Sequence, residues 1–283
     1  MTSSTTPSGL LGDTTTRDYS RKLKLFNAFA APELRQAMAS LALKPGMRVL
    51  DAGCGTGEAL GWLAAEAAPG GMVIGMDLAA SHVRAARAIA PEDSVQVLQA
   101  NLLEAPLALA SFDLGWSVNV INHLRSPSAG IDALAALLRP GGRIALGQSS
   151  LLPDMYFAWD SRLERLVNEA VRQYYRDRYQ LDERDLTAVR AIAGLLRKGG
   201  LQDVRAHTFM IERISPLRAE DEDYLVEAIF RDTWGSRLQP YLSSDDYEEL
   251  ERLCDPGHRE FALRRQDFHF LQSFTLVVGT VRG

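Results

Sequence analysis

The sequence contains little cysteine: its 283 residues include only Cys54 and Cys254. Two thiols so far apart, with no Cys/His cluster around either, provide neither a disulfide framework nor the spacing of a zinc site. No apolar run approaches the roughly 20 residues that cross a bilayer. Residues 1–16 are rich in Ser and Thr and lack the basic flank and apolar stretch of a secretory signal. We therefore expect a soluble, cytoplasmic protein that has no membrane partner.

An excess of basic residues is missing too. Lys and Arg number 31 against 36 Asp and Glu, which gives a net charge of −5. Nucleic-acid-binding proteins usually carry a basic excess or a basic stripe, so we expect no nucleic-acid partner. A hydrophobic content of 46% suffices for a proper core. The length predicts one large domain, here residues 18–283 after a disordered tail over residues 1–17. The oligomeric state is left open, a homo-oligomer included.

Short apolar segments alternate with helical patterns in the first half of the chain. Two short helices divided by Pro32 come first, over residues 22–42. Strands are then predicted over residues 47–51, 72–76, 95–98, 112–117 and 142–146. Helical patterns lie between them, among others over residues 58–68 and 129–138. Such alternation is typical of right-handed crossovers and of a parallel sheet covered by helices on both faces.

The pattern changes after residue 147. Helices are predicted over residues 154–178, 182–197, 220–234 and 243–253. Strands are predicted over residues 204–214 and 268–281, where β-branched residues are frequent. The prediction is an α/β fold with a doubly wound, mostly parallel seven-stranded sheet. Helical insertions follow the fifth strand and precede the last strand.

Three glycines at alternate positions, Gly53, Gly55 and Gly57, separate the first strand from the helix that follows it. Glycine lets the backbone turn sharply and lets a ligand approach the main chain. A dinucleotide-binding turn needs Gly or Ala five positions after its first glycine. That position is Glu58 here, so the dinucleotide pattern fails. Asp51, at the strand end, suits a cationic ligand better than a polyphosphate.

A second acidic residue, Asp77, closes the second strand. Folds of this type place a carboxylate there to accept hydrogen bonds from ribose hydroxyls. The two features together predict a site for a nucleoside with a positive, phosphate-free tail. S-adenosylmethionine fits, because it carries a ribose, an amino group and a sulfonium.

These segments resemble the class I S-adenosylmethionine-dependent methyltransferases that act on small molecules. The resemblance also includes the Ser-Phe-Asp segment at residues 111–113 and the Leu-Arg-Pro-Gly-Gly segment at residues 138–142. It covers about residues 40–148 and is weak over residues 149–267. It implies a Rossmann-like methyltransferase fold, S-adenosylmethionine as cofactor, a cofactor-binding half over about residues 40–148, and a helical, sheet-completing part over about residues 149–283.

The resemblance also implies cofactor-binding positions: Asp51, Gly53, Cys54, Gly55, Thr56, Gly57, Asp77, Leu78, Asn101, Leu102, Ser117 and Tyr19. The glycine loop should line the methionine part, Asp77 should bind the ribose, and Leu78 should contact the adenine. Asn101 stands where the family often has an acidic residue that binds the adenine amino group. Cys54 contributes its backbone rather than its sulfur. Tyr19 would close over the cofactor as a lid.

The segment over residues 117–124, after the fourth strand, is where the methyl acceptor should bind. His123 is the candidate catalytic base there; the alternative is that it caps the next helix or binds the backbone of the loop. Aromatic residues over 156–179 predict either an apolar acceptor pocket or ordinary helix packing. We expect a small-molecule acceptor methylated at O, N or C, and no metal. A macromolecular acceptor, or a related protein that binds the cofactor but does other chemistry, remains as an alternative.

Overall fold

The computed structural model describes residues 19–91, 93–150, 156–157, 160–179 and 188–283. These residues form one mixed sheet with helices packed on both faces. The expected tail over residues 1–17 lies outside the described residues. Within the described part, no helix is long and apolar enough to span a membrane.

The described sheet has eight strands: β1 (Arg48–Ala52), β2 (Met72–Asp77), β3 (Val95–Gln99), β4 (Phe112–Val118), β5 (Leu138–Ser149), β6 (Tyr156–Phe157), β7 (Gln202–Ile214) and β8 (His269–Thr280). The first strands follow the order β3-β2-β1-β4-β5, and β5 continues the sheet to β8. Both β5 and β6 pair with one edge of β8, and β7 pairs with the other edge. Strands β1 to β5 are parallel, and β8 runs antiparallel to its neighbours. The doubly wound, mostly parallel sheet is thus confirmed, and the two-residue β6 is added to its seven longer strands.

Helices cover both faces of this sheet. The described α-helices are α1 (Ser20–Phe29), α2 (Ala31–Ala39), α3 (Glu58–Ala67), α4 (Ala80–Ile89), α5 (Pro127–Leu137), α6 (Ser161–Tyr179), α7 (Ile192–Lys198), α8 (Ala219–Asp223), α9 (Gly235–Leu238) and α10 (Ser244–Cys254). A π-helix, Tyr224–Trp234, joins α8 to α9. Two apolar clusters form the core, one on each side of the sheet.

Three predicted boundaries differ from the structure by four residues or more. The helix predicted over residues 154–178 begins only at Ser161, because Tyr156–Phe157 pairs with β8 instead. The strand predicted from residue 142 begins at Leu138: the Pro-Gly-Gly segment lies within an irregularity of the β4–β5 pairing rather than between elements. Of the helix predicted over residues 182–197, residues 182–187 lie outside the described part, and Ile192–Lys198 is helical.

A buried arginine on β7 ties the N-terminal helices to the sheet. The guanidinium of Arg213 donates to Asp221 of α8, to Glu33 of α2 and to the backbone carbonyl of Phe29 in α1. It also lies 4.7 Å from the centre of the Phe29 ring. Since Phe29 ends α1, these contacts hold that helix in place beside the carboxyl ends of the parallel strands.

Candidate functional site

The glycine loop follows β1 at the carboxyl edge of the sheet. Gly53, Gly55 and Gly57 have positive φ angles of 82°, 53° and 92°, a region that side chains other than glycine rarely adopt. Space is limited as well: a Cβ atom on Gly53 would lie 2.2 Å from Cγ2 of Val120. The turn after β4, which includes Val120, therefore packs directly against the loop after β1.

The other two glycines face helices. A Cβ atom on Gly55 would lie 3.1 Å from Cδ1 of Leu23 in α1. On Gly57 it would lie 2.8 Å from the backbone Cα of Ala86 in α4. The sequence interpretation attributed these glycines to the approach of a ligand. The structure adds that a protein neighbour leaves no room for a Cβ atom at Gly53 and Gly57 and little room at Gly55, and that α1 covers the loop.

Asp77, at the end of β2, is held by three donors. Its Oδ2 accepts from the backbone N–H of Gly55 at 2.9 Å, and its Oδ1 accepts from that of Ala79, also at 2.9 Å. The Nδ1 atom of His82 lies 3.1 Å from the same Oδ1. The carboxylate thus connects the middle of the glycine loop to the start of α4.

His82 was not among the residues predicted from the sequence. The side chain is buried, and its Nε2 has no hydrogen-bond partner among the described residues. The contact could have been predicted from its position in the sequence. His82 follows the strand end by five residues, so the first turn of α4 brings it back to Asp77.

Asp51, at the end of β1, is 2% exposed, and its Oδ2 atom has no hydrogen-bond partner in the described structure. Burial raises the pKa of Asp51 to about 8, and the nearby charges of Asp77 and Glu58 add to the rise. A buried carboxyl of this kind is mostly protonated at neutral pH and is stabilised in its charged form by a cation.

Glu58 is the third carboxylate at the loop, and sequence analysis used it only to exclude a dinucleotide. Its Oε2 accepts from the hydroxyl of Thr56 at 2.6 Å and from the amide of Asn27 at 2.8 Å. Asn27 belongs to α1, so this bond is a second link between that helix and the glycine loop.

The thiol of Cys54 is buried, and burial raises its pKa far above the ordinary value, with the charges of Asp51 and Asp77 adding to the rise. A thiol that stays protonated is a poor nucleophile. A reactive thiol is therefore not expected at Cys54, and its backbone role towards the cofactor stays a prediction.

The remaining predicted cofactor residues lie on neighbouring elements. Leu78 is half-buried directly after Asp77, and Leu102 is buried in the apolar cluster on one face of the sheet. The Oδ1 atom of Asn101 accepts from the backbone N–H of Leu103 at 3.1 Å. This atom was expected to bind adenine, and it already caps a turn of the chain, which leaves one lone pair for a ligand.

Ser117 serves the sheet rather than an open site. Its hydroxyl is buried and donates to the carbonyl of Ala52 at 2.7 Å, which joins the ends of β4 and β1. Tyr19 precedes α1, and its carbonyl accepts from the backbone N–H of Leu23. Tyr19 therefore lies one turn from the residue that faces Gly55.

The turn after β4 is shaped by Asn119, which has a positive φ of 56°. Its Oδ1 accepts from both the backbone N–H and the hydroxyl of Ser149, at the end of β5. His123 ends this turn and is exposed. The turn Ile121–His123 contacts Ala188–Ala191, which begins the next described stretch of chain.

The aromatic residues of α6 are described only in part. Tyr174 packs edge-on against Tyr175 and Tyr241 and lies under the guanidinium of Arg237. These contacts are internal to the helical cover and match the helix-packing interpretation for Tyr174. Trp159 and the side chains of residues 156, 157 and 179 lie outside what the structure describes. Among the described residues, no group of three or more His, Cys, Asp or Glu side chains is placed to hold a metal ion.

Comparison with known proteins identifies this arrangement. Residues 50–146 match the family described as "Methyltransferase domain". The chain is 30% identical over 227 residues to nocamycin O-methyltransferase of Saccharothrix syringae, which covers 75% of this chain and 77% of the relative. It is 37% identical over 117 residues to 27-O-demethylrifamycin SV methyltransferase of Amycolatopsis mediterranei, covering 40% of this chain and 42% of the relative.

The protein belongs to the class I S-adenosylmethionine-dependent methyltransferases. Several relatives match over a shorter part: the chain spans 33% to 42% of the length of three of them. A solved structure titled [4+2]-cyclase SpnF has the same fold, with a TM-score of 0.55 and 16% identity over 97% of this chain and 99% of that one. At this identity, the likeness is one of fold alone.

The residues at the carboxyl edge fit the cofactor of this class. S-adenosylmethionine has a sulfonium and an ammonium group, and the loop is bordered by carboxylates, one of which has a buried oxygen without a partner in the described structure. The backbone of the loop is left-handed at all three glycines. A polyphosphate would be repelled by the same carboxylates.

Proposed function

We propose that this chain transfers the methyl group of S-adenosylmethionine to an O, N or C atom of a small organic acceptor. The similarity to nocamycin O-methyltransferase over most of both chains carries the proposal. The name of the rifamycin relative, and that of a ubiquinone biosynthesis O-methyltransferase from Xanthomonas axonopodis that is 32% identical over 179 residues, support the same class of acceptor. These names favour O-methylation in specialised or quinone-like metabolism. A cytoplasmic location stays a prediction.

In this proposal the cofactor lies along the glycine loop, between the ends of β1 and β2 and under α1. The residues assigned to it are those predicted from the sequence, together with Glu58 as a further carboxylate: Asp51, Gly53, Cys54, Gly55, Thr56, Gly57, Asp77, Leu78, Asn101, Leu102, Ser117 and Tyr19. Asp77 would accept a ribose hydroxyl through the lone pair of Oδ2 that Gly55 leaves open, since Ala79 and His82 already occupy Oδ1. Ser117 would act by holding the strand ends, since its hydroxyl is already used.

The cofactor supplies a methyl group activated on a sulfonium. The chain's own residues then need only to align the acceptor atom and exclude water. A base is required where that atom carries a proton, and we assign this role to His123. The close packing of Val120 on Gly53 supports the assignment, because it brings the turn after β4 next to the cofactor loop.

A second candidate is a protein that binds the cofactor but catalyses another reaction, such as a cyclisation. We retain this candidate because a [4+2]-cyclase has the same fold, and a fold does not determine the chemistry of its site. A nucleic-acid acceptor is disfavoured by the net charge of −5.

The test is incubation of the purified chain with methyl-labelled S-adenosylmethionine and small-molecule extracts of the source organism, followed by mass analysis. The expected result is a compound that gains one methyl group. The Asp77→Ala variant is the control, because it should bind the cofactor weakly. If the wild-type chain binds S-adenosylhomocysteine but labels nothing in any fraction, the second candidate replaces the first.

A further inference from the structure

Three carboxylates border the glycine loop, and we call them the carboxylate cluster: Asp51, Glu58 and Asp77. Asp51 precedes the loop, Glu58 follows it, and Asp77 binds the N–H of Gly55 at its centre. Within the described residues none of the three makes an ion pair with a lysine or an arginine. The Nδ1 atom of His82 lies 3.1 Å from Oδ1 of Asp77.

The basic residues of the neighbouring helices are directed elsewhere. On α1, Arg21 pairs with Glu227 and Lys22 with Asp232. On α4, Arg87 donates to the carbonyl of Val97. The two other cations of these helices, Lys24 and Arg84, are exposed. Among the described residues, no lysine or arginine of α1 or α4 is therefore paired with the carboxylate cluster, and His82 is the basic side chain that contacts it.

Negative charges in one cluster oppose each other's ionisation, and burial opposes it further, unless a cation is bound. Asp51 is the carboxylate that takes up a proton. It is the most buried of the three, and its Oδ2 has no partner in the described structure. Burial and both other carboxylates raise its pKa to about 8. In the free protein at neutral pH, Asp51 therefore holds a proton that a bound cation would displace.

Resting on the function proposed above, we propose that the carboxylate cluster couples binding of the cationic cofactor to release of one proton from Asp51. The site thereby distinguishes the sulfonium of S-adenosylmethionine from the neutral sulfur of S-adenosylhomocysteine. The Asp51 O–H bond breaks, its proton passes to solvent, and the carboxylate left behind faces a positive ligand.

The same coupling acts in reverse after transfer. The product has lost the sulfonium charge with its methyl group, while its ammonium and carboxylate are unchanged. An ionised Asp51 then has a weaker counter-charge and takes a proton back from solvent. Proton uptake at Asp51 thus favours departure of the product over that of the cofactor.

Titration calorimetry of the full chain with each ligand, in phosphate and in Tris at pH 7, measures the protons exchanged. We expect release of about one proton per S-adenosylmethionine bound and clearly less with S-adenosylhomocysteine. The association constant for S-adenosylmethionine should rise about tenfold per pH unit between pH 6 and 7 and level off above pH 8. In Asp51→Asn the release should vanish, and the preference for the cofactor over the product should fall about tenfold.

Four control measurements make the test specific. Glu58→Gln keeps the acceptor for Thr56 and should reduce proton release only in part. Asp132→Asn, an exposed position on α5, should behave as wild type. His82→Asn keeps a donor towards Asp77 and should retain the release, since imidazoles are the other groups that titrate near neutral pH. Melting curves taken first establish that each variant is folded.

Binding of S-adenosylmethionine to the wild-type chain without proton release would overturn the inference. So would release that persists in Asp51→Asn, or release that disappears in His82→Asn instead. Failure of the wild-type chain to bind either ligand is a different result, because it refutes the proposed function itself.

Discussion

The Nδ1 atom of His82 lies 3.1 Å from Oδ1 of Asp77, so the first turn of α4 bonds directly to the acid that closes β2. Asp77 also accepts from the backbone of Gly55 and of Ala79. The orientation of this carboxylate is therefore set jointly by the strand end, the glycine loop and the helix.

Replacement of Asp77 by alanine should weaken cofactor binding. A carboxylate that accepts a ribose hydroxyl contributes about 1.5–3 kcal/mol, so the affinity for S-adenosylhomocysteine should fall roughly 10- to 100-fold. Calorimetric titration measures the loss, and Asp77→Asn, which keeps the shape and one acceptor oxygen, should lose less. Unchanged affinity in Asp77→Ala would remove this residue from the site.

Replacement of His82 by leucine should affect cofactor binding less than Asp77→Ala does and should not lower the stability of the fold. It deletes a buried imidazole whose Nε2 has no partner among the described residues, and such an atom costs about 1–3 kcal/mol. Asp77 keeps both backbone donors, so the melting temperature should stay the same or rise. The affinity for S-adenosylhomocysteine should fall less than in Asp77→Ala. A melting temperature lowered by several degrees would show that His82 is needed for folding.

Two glycines with similar φ angles allow the cost of backbone strain to be measured separately from the cost of close packing. Gly46 and Gly57 have φ angles of 83° and 92°, but a Cβ atom on Gly46 meets nothing within 4 Å, whereas on Gly57 it meets the backbone of Ala86 at 2.8 Å. Gly46→Ala should cost only the left-handed strain, about 1–2 kcal/mol.

Gly57→Ala should cost that strain and, in addition, about 1–3 kcal/mol for overpacking against α4. Urea denaturation of both variants gives the two free energies of unfolding. Equal losses would mean that α4 moves away freely, and that Gly57 is required only for its backbone conformation.

Local patterns predicted most of the sheet because each parallel strand is a short apolar run followed by a turn signal. Asp77 and the glycines could be recognised for the same reason: they stand next to strand ends in the sequence. The strand at Tyr156–Phe157 could not be predicted, because its only described sheet partner is β8, more than 110 residues away in the chain. A pairing of that kind leaves no local periodicity.

The contacts that complete the site could not be predicted either, for the same reason. Val120 against Gly53 and Leu23 against Gly55 join segments that are neighbours only after folding. Sequence analysis could place Asn101 and Ser117 correctly at strand ends. It could not foresee that their side chains already bond to Leu103 and Ala52, since such bonds depend on three-dimensional geometry.

Asp51 should make the free protein less stable as the pH rises. Its pKa is about 8 in the folded chain against an ordinary 3.8, so the folded state holds a proton that the unfolded state has lost. The stabilisation is complete below about pH 4 and disappears as the pH rises through about 8, with a slope of about 1.4 kcal/mol per pH unit.

Asp51→Asn removes this titration and keeps the shape. Without cofactor, the free energy of unfolding of the variant should therefore rise steadily relative to that of the wild-type protein from pH 6 to 8. Above pH 8 the difference between the two free energies should be constant. Urea denaturation at several pH values measures it. A constant difference across the whole range would mean that Asp51 is ionised throughout, and the variant should then also bind S-adenosylmethionine without any change in pH dependence.

His123 provides the test of the acceptor side. If it takes a proton from the acceptor, His123→Ala should lower turnover about 10²-fold or more and leave the affinity for S-adenosylhomocysteine nearly unchanged. The pH–rate profile of the wild-type protein should show a limb in the histidine range, about pH 6–7, that is missing in the variant. The side chain is exposed, and truncations at exposed positions usually change stability by no more than about 0.5 kcal/mol. The melting temperature should therefore hardly change, and turnover and melting are measured on one preparation. A loss of turnover that merely follows a loss of folded protein would exclude His123 as the base and leave it as a residue that supports the turn after β4.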